Sequence, residues 1–180
     1  MVNGAQNQLN NSIIEKYCNN NNNDNCSEYG GLYQWDEAMQ YMQQQGTRGI
    51  CPPGWHIPTD QEWKVLEGAT DSQYGIGDAE WDLSYHARGY DAGINLKSTY
   101  GWFEGENGAD LFGFTGLPAG ILYMGNFGDQ PTRSYWWTSS VYSSLYAWAR
   151  PLIYDYEEIW RYVYGNNFGF GMSVRCIKDE

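Results

Sequence analysis

The chain has few basic side chains, with 10 Lys and Arg against 22 Asp and Glu and a formal net charge of −12. Because nucleic-acid binding needs a basic face, we expect no nucleic-acid partner. No apolar run approaches the ~20 residues that cross a bilayer, so we expect no membrane-spanning segment. The polar N-terminal residues contain no apolar signal-peptide core. If the protein is exported, we expect its signal sequence to lie outside this sequence.

Histidine is also scarce, at two residues, and no CxxC motif occurs, which argues against a zinc site. His56 lies between Trp55 and Ile57 in a proline-bounded turn, where we expect a structural, hydrogen-bonded side chain rather than a catalytic one. The GxSxG, HExxH, GxGxxG and Walker motifs are missing. We therefore expect no catalytic residue and no enzyme activity.

Acidic loops raise the question of calcium, which prefers oxygen ligands. Without EF-hand spacing, we expect these side chains to be solvated and no cofactor to be bound, with a structural calcium as the alternative. The candidate ligands are Asp71, Asp78, Asp82, Asp91, Asp110 and Asp129.

The four cysteines, Cys18, Cys26, Cys51 and Cys176, allow three disulfide pairings. Cys18 and Cys26 flank a short polar loop that is easily closed, and Cys51 and Cys176 would then tie an early loop to the last strand. We favour two disulfides and an exported protein. Four buried free thiols in a cytosolic protein are the alternative.

Local patterns predict an α+β domain over residues 17–180, after a polar lead-in at 1–16 with a short helix at Ser12–Tyr17. The Asn-rich tract Asn19–Asn25 is expected to be a solvent loop. An apolar stripe spaced i, i+3, i+4 and i+7 predicts a helix capped by Gly46. Its members are Trp35, Ala38, Met39 and Met42.

A capping box with Thr59 at the N-cap and Glu62 at N3 predicts a second short helix before Gly68. Residues 69–95 have no clean period and are expected to be loops with at most a short helix. The remaining pattern predicts antiparallel hairpins after the helices. Their strands are placed at Ile121–Met124, Tyr135–Ser139, Ala147–Tyr154, Ile159–Tyr164 and Met172–Ile177.

The stretch Tyr135–Cys176 holds a large share of the chain's 9 Trp, 16 Tyr and 6 Phe residues. In a strand, alternate side chains point to opposite faces, yet here bulky rings fall on both faces. Either two layers bury this stretch, or one face is an exposed binding surface. The rings then serve as core, as platforms for sugar rings, or as a protein-binding surface. The pair Glu157-Glu158 is expected to be a solvated turn, or alternatively part of a carboxylate–aromatic ligand site with Asp155.

Several runs resemble the Fibrobacter succinogenes major paralogous domain over residues 17–179. They are YCNNNNNDNCSEYGGLYQWDEAM, GICPPGWHIPTDQEWKVLE, INLKSTYGW, LFGFTGLPAG, YWWTSS and GMSVRCIKD. That family is typical of exported and surface proteins of Bacteroidetes- and Fibrobacter-like bacteria and is similar to the C-type-lectin-like fold. The resemblance implies two short helices, small antiparallel sheets, long loops and a Cys51–Cys176 disulfide.

Two activities found on that fold lack their motifs here. The calcium-dependent sugar motifs EPN, QPD and WND are missing, since Thr132 follows Gln130-Pro131. The paired active-site cysteines of formylglycine-generating enzymes are missing too. The variable proteins of diversity-generating retroelements share the fold, and their diversified window would correspond here to Tyr142–Phe168.

We therefore expect an exported, non-enzymatic ligand-binding or adhesion module at the cell surface. It would bind a protein or glycan of another cell or surface through segment 148–168, and a retroelement variable protein is one form of this hypothesis. A structural surface-layer or pilus component is the alternative, followed by an enzyme of the formylglycine-generating type. The expected ligand contacts are Trp148, Tyr154, Tyr156, Trp160, Tyr162, Tyr164 and Asn166.

Overall fold

A computed structural model describes residues 1–165 and 169–179 and shows an α+β domain. The helices are α1 (Asn23–Tyr29), α2 (Trp35–Ala38), α3 (Asp60–Thr70) and α4 (Ala92–Leu96). Short 3₁₀ turns occupy Asn19–Asn21, Ala79–Asp82 and Phe103–Gly105. The strands are β1 (Trp55–His56), β2 (His86–Arg88), β3 (Ile121–Tyr123), β4 (Asn126–Gly128), β5 (Arg133–Ser143), β6 (Tyr146–Ile153), β7 (Ile159–Gly165), β8 (Phe170–Gly171) and β9 (Ile177–Lys178).

An antiparallel sheet of order β2-β7-β6-β5 forms the centre of the domain. Two smaller antiparallel sheets, β4-β3-β8 and β1-β9, lie beside it. The small antiparallel sheets predicted from the sequence are therefore confirmed.

The central sheet has a core on each face, which accounts for its two-sided aromatic pattern. On one face, Tyr135 and Trp137 of β5 pack with Trp35 and Met39 from the α2 region. On the other face, neighbouring Trp136 packs with a second cluster, which also contains Trp63, Trp81, Leu152 and Ile159. Consecutive strand residues point to opposite faces, so each ring of this run reaches a different core.

Buried charges join α3 to three strands of the sheet. Glu67 lies between Arg88 of β2 and Arg150 of β6, and all three side chains are inaccessible to solvent. Asp60 accepts hydrogen bonds from Arg150 at 2.7 Å and from Arg161 of β7 at 2.8 Å. Burial alone would raise the pKa of Asp60, but the two arginines lower it below its usual value. Losing one partner of such a network leaves a buried charge unpaired.

The capping-box prediction is confirmed, while the first predicted helix is far too long. Thr59 accepts from the N–H of Glu62, and the Glu62 side chain accepts from the Thr59 N–H, but α3 continues past Gly68 to Thr70. α2 ends at Ala38 because Gln40 and Tyr41 take positive φ values of 50° and 60°. Trp35, Ala38 and Met39 are buried as the stripe predicts, whereas Met42 is exposed.

Three other local predictions are wrong. The Asn-rich tract is not a plain loop, since Asn22 accepts from the N–H of Asp24 and caps α1. Segment Ser12–Tyr17 is not helical: Ser12 has a φ of 65°, and Tyr17 forms a β-bridge with Leu32. The predicted last strand, Met172–Ile177, is interrupted, with bridges at Met172 and Ser173 before β9 begins.

Both expected disulfides are present, Cys18–Cys26 and Cys51–Cys176. The second joins positions 125 residues apart. Two disulfides fit a secreted or extracellular protein. Among the described residues, the longest helices fall short of the length and hydrophobicity that a membrane crossing requires. The lead-in contacts the rest of the domain through hydrogen bonds between Gln8 and Gln34, and its boundary at residue 16 stays a prediction.

Candidate functional site

One groove brings together most of the residues predicted to contact a ligand. We call it the aromatic groove; its volume is about 470 Å³. Five of the seven predicted contacts line it, namely Tyr154, Tyr156, Trp160, Tyr162 and Tyr164. The other lining residues are Arg133, Tyr135, Pro151, Ile153 and Asp155.

Strand register explains why these side chains share one face. Tyr162 pairs with Ala149, and Trp160, Tyr162 and Tyr164 alternate along β7, so all three rings point the same way. Tyr135 pairs with Pro151 and Arg133 pairs with Ile153, which extends this face across β6 to β5. Pro151 and Ile153 of β6 therefore form the floor between aromatic side chains of the two neighbouring strands.

The rings of the groove hold one another in place. Tyr162 and Tyr164 have ring centroids 5.4 Å apart, and Tyr164 meets Tyr135 edge to face at 5.7 Å. Tyr156 meets Trp160 edge to face, also at 5.7 Å. Such contacts contribute ~0.5–1.5 kcal/mol each beyond area burial. The groove is thus formed before any ligand arrives, which lowers the entropic cost of binding.

A buried lysine fixes the turn that forms one wall. Lys97 Nζ donates to the carbonyls of Ile153, Tyr154 and Tyr156 at 3.2, 2.7 and 2.9 Å. It also lies 5.4 Å from the ring centroid of Trp102. Burial lowers the pKa of Lys97 to about 8, since removal from water disfavours the ammonium form.

Polar groups border the aromatic surface. Arg133 and Asp155 line the groove, which gives it one cationic and one anionic side chain. Burial raises the pKa of Tyr164, so its hydroxyl stays protonated and can donate a hydrogen bond at neutral pH. Trp160 Nε1 is inaccessible and has no hydrogen-bond partner among the described residues. The site can therefore pair apolar ring contacts with a few hydrogen bonds.

The other two predicted contacts lie elsewhere. Trp148 is on the opposite face of β6, 8% exposed, with the Arg161 guanidinium 3.6 Å from its ring centroid. Asn166 lies outside the described residues. Within the groove, Tyr156 and Tyr162 are exposed, at 38% and 37%, and the remaining predicted rings are half-buried.

The sequence did not single out an exposed aromatic cluster beside the groove. Tyr85 contacts Tyr162, Tyr142 and Trp148, with ring centroids 5.6–6.3 Å apart. Tyr85 lies in the stretch 69–95, which has no hydrophobic period, and its backbone takes a φ of 67°. The only signal in the sequence for a binding role was therefore that the residue is a tyrosine. Arg133 and Tyr135 of the groove were also missed, because Tyr135 was predicted only to begin a strand and Arg133 lies before that predicted strand.

Several acidic side chains considered for calcium are engaged by the protein itself. Asp71 Oδ1 accepts from the N–H groups of Gln73 and Tyr74, and its Oδ2 accepts from three backbone N–H groups at 90–92. Asp110 accepts from the Thr115 N–H and hydroxyl. Within residues 1–165 and 169–179, no group of three His, Cys, Asp or Glu side chains is placed to hold a metal ion. The absence of a cofactor remains a prediction.

His56 is hydrogen-bonded on both ring nitrogens. Nδ1 lies 2.6 Å from Asp179 Oδ1, and Nε2 lies 2.8 Å from Glu62 Oε1. Burial alone would lower the pKa of His56, but the two carboxylates together raise it above its usual value. Both contacts are favourable only when both ring nitrogens carry protons. The protonated histidine then links Asp179, which directly follows β9, to Glu62 in the first turn of α3.

Comparison with known proteins identifies the family. The family model of the Fibrobacter succinogenes major domain matches residues 2–178, almost the whole chain. No curated protein and no solved structure matches the chain. The C-type-lectin-like fold therefore stays a prediction, whereas the match itself covers both disulfides, the central sheet and the aromatic groove. The chain belongs to the Fibrobacter succinogenes major domain family.

Proposed function

We propose that this domain is a non-enzymatic, exported ligand-binding or adhesion module whose ligand occupies the aromatic groove. The observation that carries the proposal is the convergence of Tyr154, Tyr156, Trp160, Tyr162 and Tyr164 on one preformed groove. Ligand sites are typically concave, with apolar and aromatic walls and a few placed polar groups. Arg133 and Asp155 supply such polar groups here.

A glycan is the ligand that the groove favours. Flat Tyr and Trp faces offer apolar contact to the C–H faces of sugar rings, while tyrosine hydroxyls, Arg133 and Asp155 can bond sugar hydroxyls. A volume of about 470 Å³ suits a short stretch of a sugar chain better than the broad surface of a folded protein.

A protein ligand is the second candidate, favoured by the exposed cluster next to the groove. Tyr85, Tyr142 and Tyr146 are 45%, 54% and 41% exposed, and Val141 and Leu145 at the same hairpin are also exposed. Tyr is enriched in protein-binding hot spots. In this form the domain would be a variable protein of a diversity-generating retroelement on a C-type-lectin-like fold. A repeat template and a reverse-transcriptase gene beside the coding gene would support that identity.

A surface-layer or pilus component is the structural alternative, in which the hairpin at 141–146 packs on a neighbouring copy. Sedimentation over a range of concentrations separates the two classes. A module that binds a foreign ligand stays monomeric, and a structural component assembles as its concentration rises.

Glycan and protein arrays probed with the intact domain test the proposal. A ligand found there should lose at least about tenfold in affinity with Tyr156→Ala, since hot-spot truncations cost ~2 kcal/mol or more. The matched control is Tyr100→Ala, because Tyr100 is 52% exposed and lies outside the groove. Equal losses with both variants, or none with Tyr156→Ala, would show that the ligand binds elsewhere.

A further inference from the structure

A second groove lies on the other side of β5 from the aromatic groove. Its volume is about 720 Å³, and it runs along the C-terminal segment 173–176, next to the Cys51–Cys176 disulfide. The neighbours Tyr135 and Trp136 of β5 line the first and second grooves respectively, because they point to opposite faces. The two grooves share no lining residue.

Aromatic rings form much of the second groove. Tyr29, Tyr33, Trp55 and Trp136 line it, and Trp55 is 39% exposed although the proline-rich turn beside it is tight. Gly54 in that turn has a φ of 79°, which only glycine adopts readily. The exposed indole therefore stands on a rigid support, as a binding platform requires.

An arginine without a carboxylate partner lies in the same groove. The Arg175 guanidinium is 4.4 Å from the ring centroid of Phe114 and donates to the Phe114 carbonyl. In the described part of the chain no carboxylate forms an ion pair with it. The carboxylate of Asp110 acts on Arg175 through its charge, but it already accepts two hydrogen bonds from Thr115. Phe114 thus holds the guanidinium in position, and among residues 1–165 and 169–179 no second acceptor is shown for its remaining donors.

A second polar group in this wall also lacks a partner. Ser173 is 7% exposed, and its hydroxyl is buried without a hydrogen bond among the described residues. An unpaired buried hydroxyl costs ~1–3 kcal/mol, so a ligand atom that pairs with it is favoured. Ser173 and Arg175 together present donors for an anionic oxygen beside an aromatic wall.

From this arrangement we propose that the second groove binds a small organic acid, with its carboxylate on Arg175 and its ring body against Trp55. Planar guanidinium groups match carboxylates in bidentate geometry. One carboxylate fits Arg175, the one basic side chain among the described lining residues, whereas a polyanion is opposed by the net charge of −12. Glu28 also lines the groove, and its negative charge would repel a ligand that carries more than one anionic group.

Paired probes test this site: phenylacetate, cyclohexanecarboxylate and glucuronate, each against its neutral amide. Binding is followed by ligand-observed NMR and by the fluorescence of the intact domain. At least one acid should bind about tenfold or more tightly than its amide, and Arg175→Met should abolish that preference. Ser173→Ala should weaken binding of that acid several-fold.

Arg48→Met is the matched control, since it removes the same charge at an exposed residue that does not line the groove. It should leave the preference intact, and circular dichroism should show that both variants stay folded. The proposal is overturned if no acid is preferred over its amide, or if Arg48→Met removes the preference as fully as Arg175→Met. Trp160→Ala in the aromatic groove should leave acid binding unchanged.

Discussion

Replacing Lys97 by Met tests how the wall of the aromatic groove is maintained. Met retains most of the apolar stem but removes the three hydrogen bonds to the carbonyls of Ile153, Tyr154 and Tyr156. A buried carbonyl without a donor costs ~1–3 kcal/mol. Two effects reduce the total: the half-exposed turn allows water to reach some carbonyls, and the burial of an ammonium is no longer required.

We therefore expect Lys97→Met to lower the free energy of unfolding by about 2 kcal/mol. Local opening of the 153–160 turn should become easier by a similar amount. Urea denaturation measures the first quantity, and amide hydrogen exchange at 153–160 measures the second. The control Lys178→Met, at an exposed lysine, should stay within about 0.5 kcal/mol of the wild type.

The lysine also has a definite pH signature. Its folded pKa is about 8, below the usual 10.5, so the unfolded chain binds more protons between these values. The contribution of this group to stability therefore rises with pH from about 8 to 10.5 in the wild type and is missing in Lys97→Met. Unchanged hydrogen exchange at 153–160 in the variant would refute the idea that Lys97 holds this wall.

Three further changes test the framework. Converting Cys51 and Cys176 to Ser should cost about 4–5 kcal/mol in the chain-entropy model, measured by urea denaturation, and a loss under ~1 kcal/mol would contradict it. Glu67→Gln leaves Arg88 without a carboxylate partner and Arg150 with Asp60 alone, and should cost ~3–5 kcal/mol in the same assay, whereas wild-type stability would show that the network is dispensable. His56 stabilises the fold when protonated, so wild-type stability should fall as pH rises through its raised pKa. His56→Gln should lack this fall in a pH series of thermal midpoints, and an identical fall in both proteins would exclude His56 as its source.

Two local signals in the sequence predicted local structure correctly. The capping box placed the start of α3 because the Thr59–Glu62 exchange needs only four consecutive residues. The cysteine pattern led to the two disulfides that are present. In contrast, the apolar stripe after Trp35 suggested a long helix. The spacing of apolar residues carries no information about backbone angles, so it could not predict the positive φ values at Gln40 and Tyr41 that end α2.

Features that depend on contacts between distant residues could not be predicted from the sequence. β2 has only three residues, and its pairing with β7 follows from tertiary contacts, including the buried contact between Arg88 and Glu67. The two-sided aromatic pattern was visible, but a period of two cannot tell which face is covered. Trp148 and Tyr162 therefore looked alike in sequence, although Trp148 is buried under Arg161 and Tyr162 lines the groove.

The affinity of the double variant Trp160→Ala/Tyr162→Ala for the ligand selected on the arrays tests the binding role of the aromatic groove most directly. Calorimetry should show a loss of about 100-fold or more, with the circular dichroism spectrum and the two disulfides retained. Wild-type affinity in the folded variant would contradict the assignment of the groove as the binding site. Global unfolding of the variant would contradict it as well, because these rings would then serve the core.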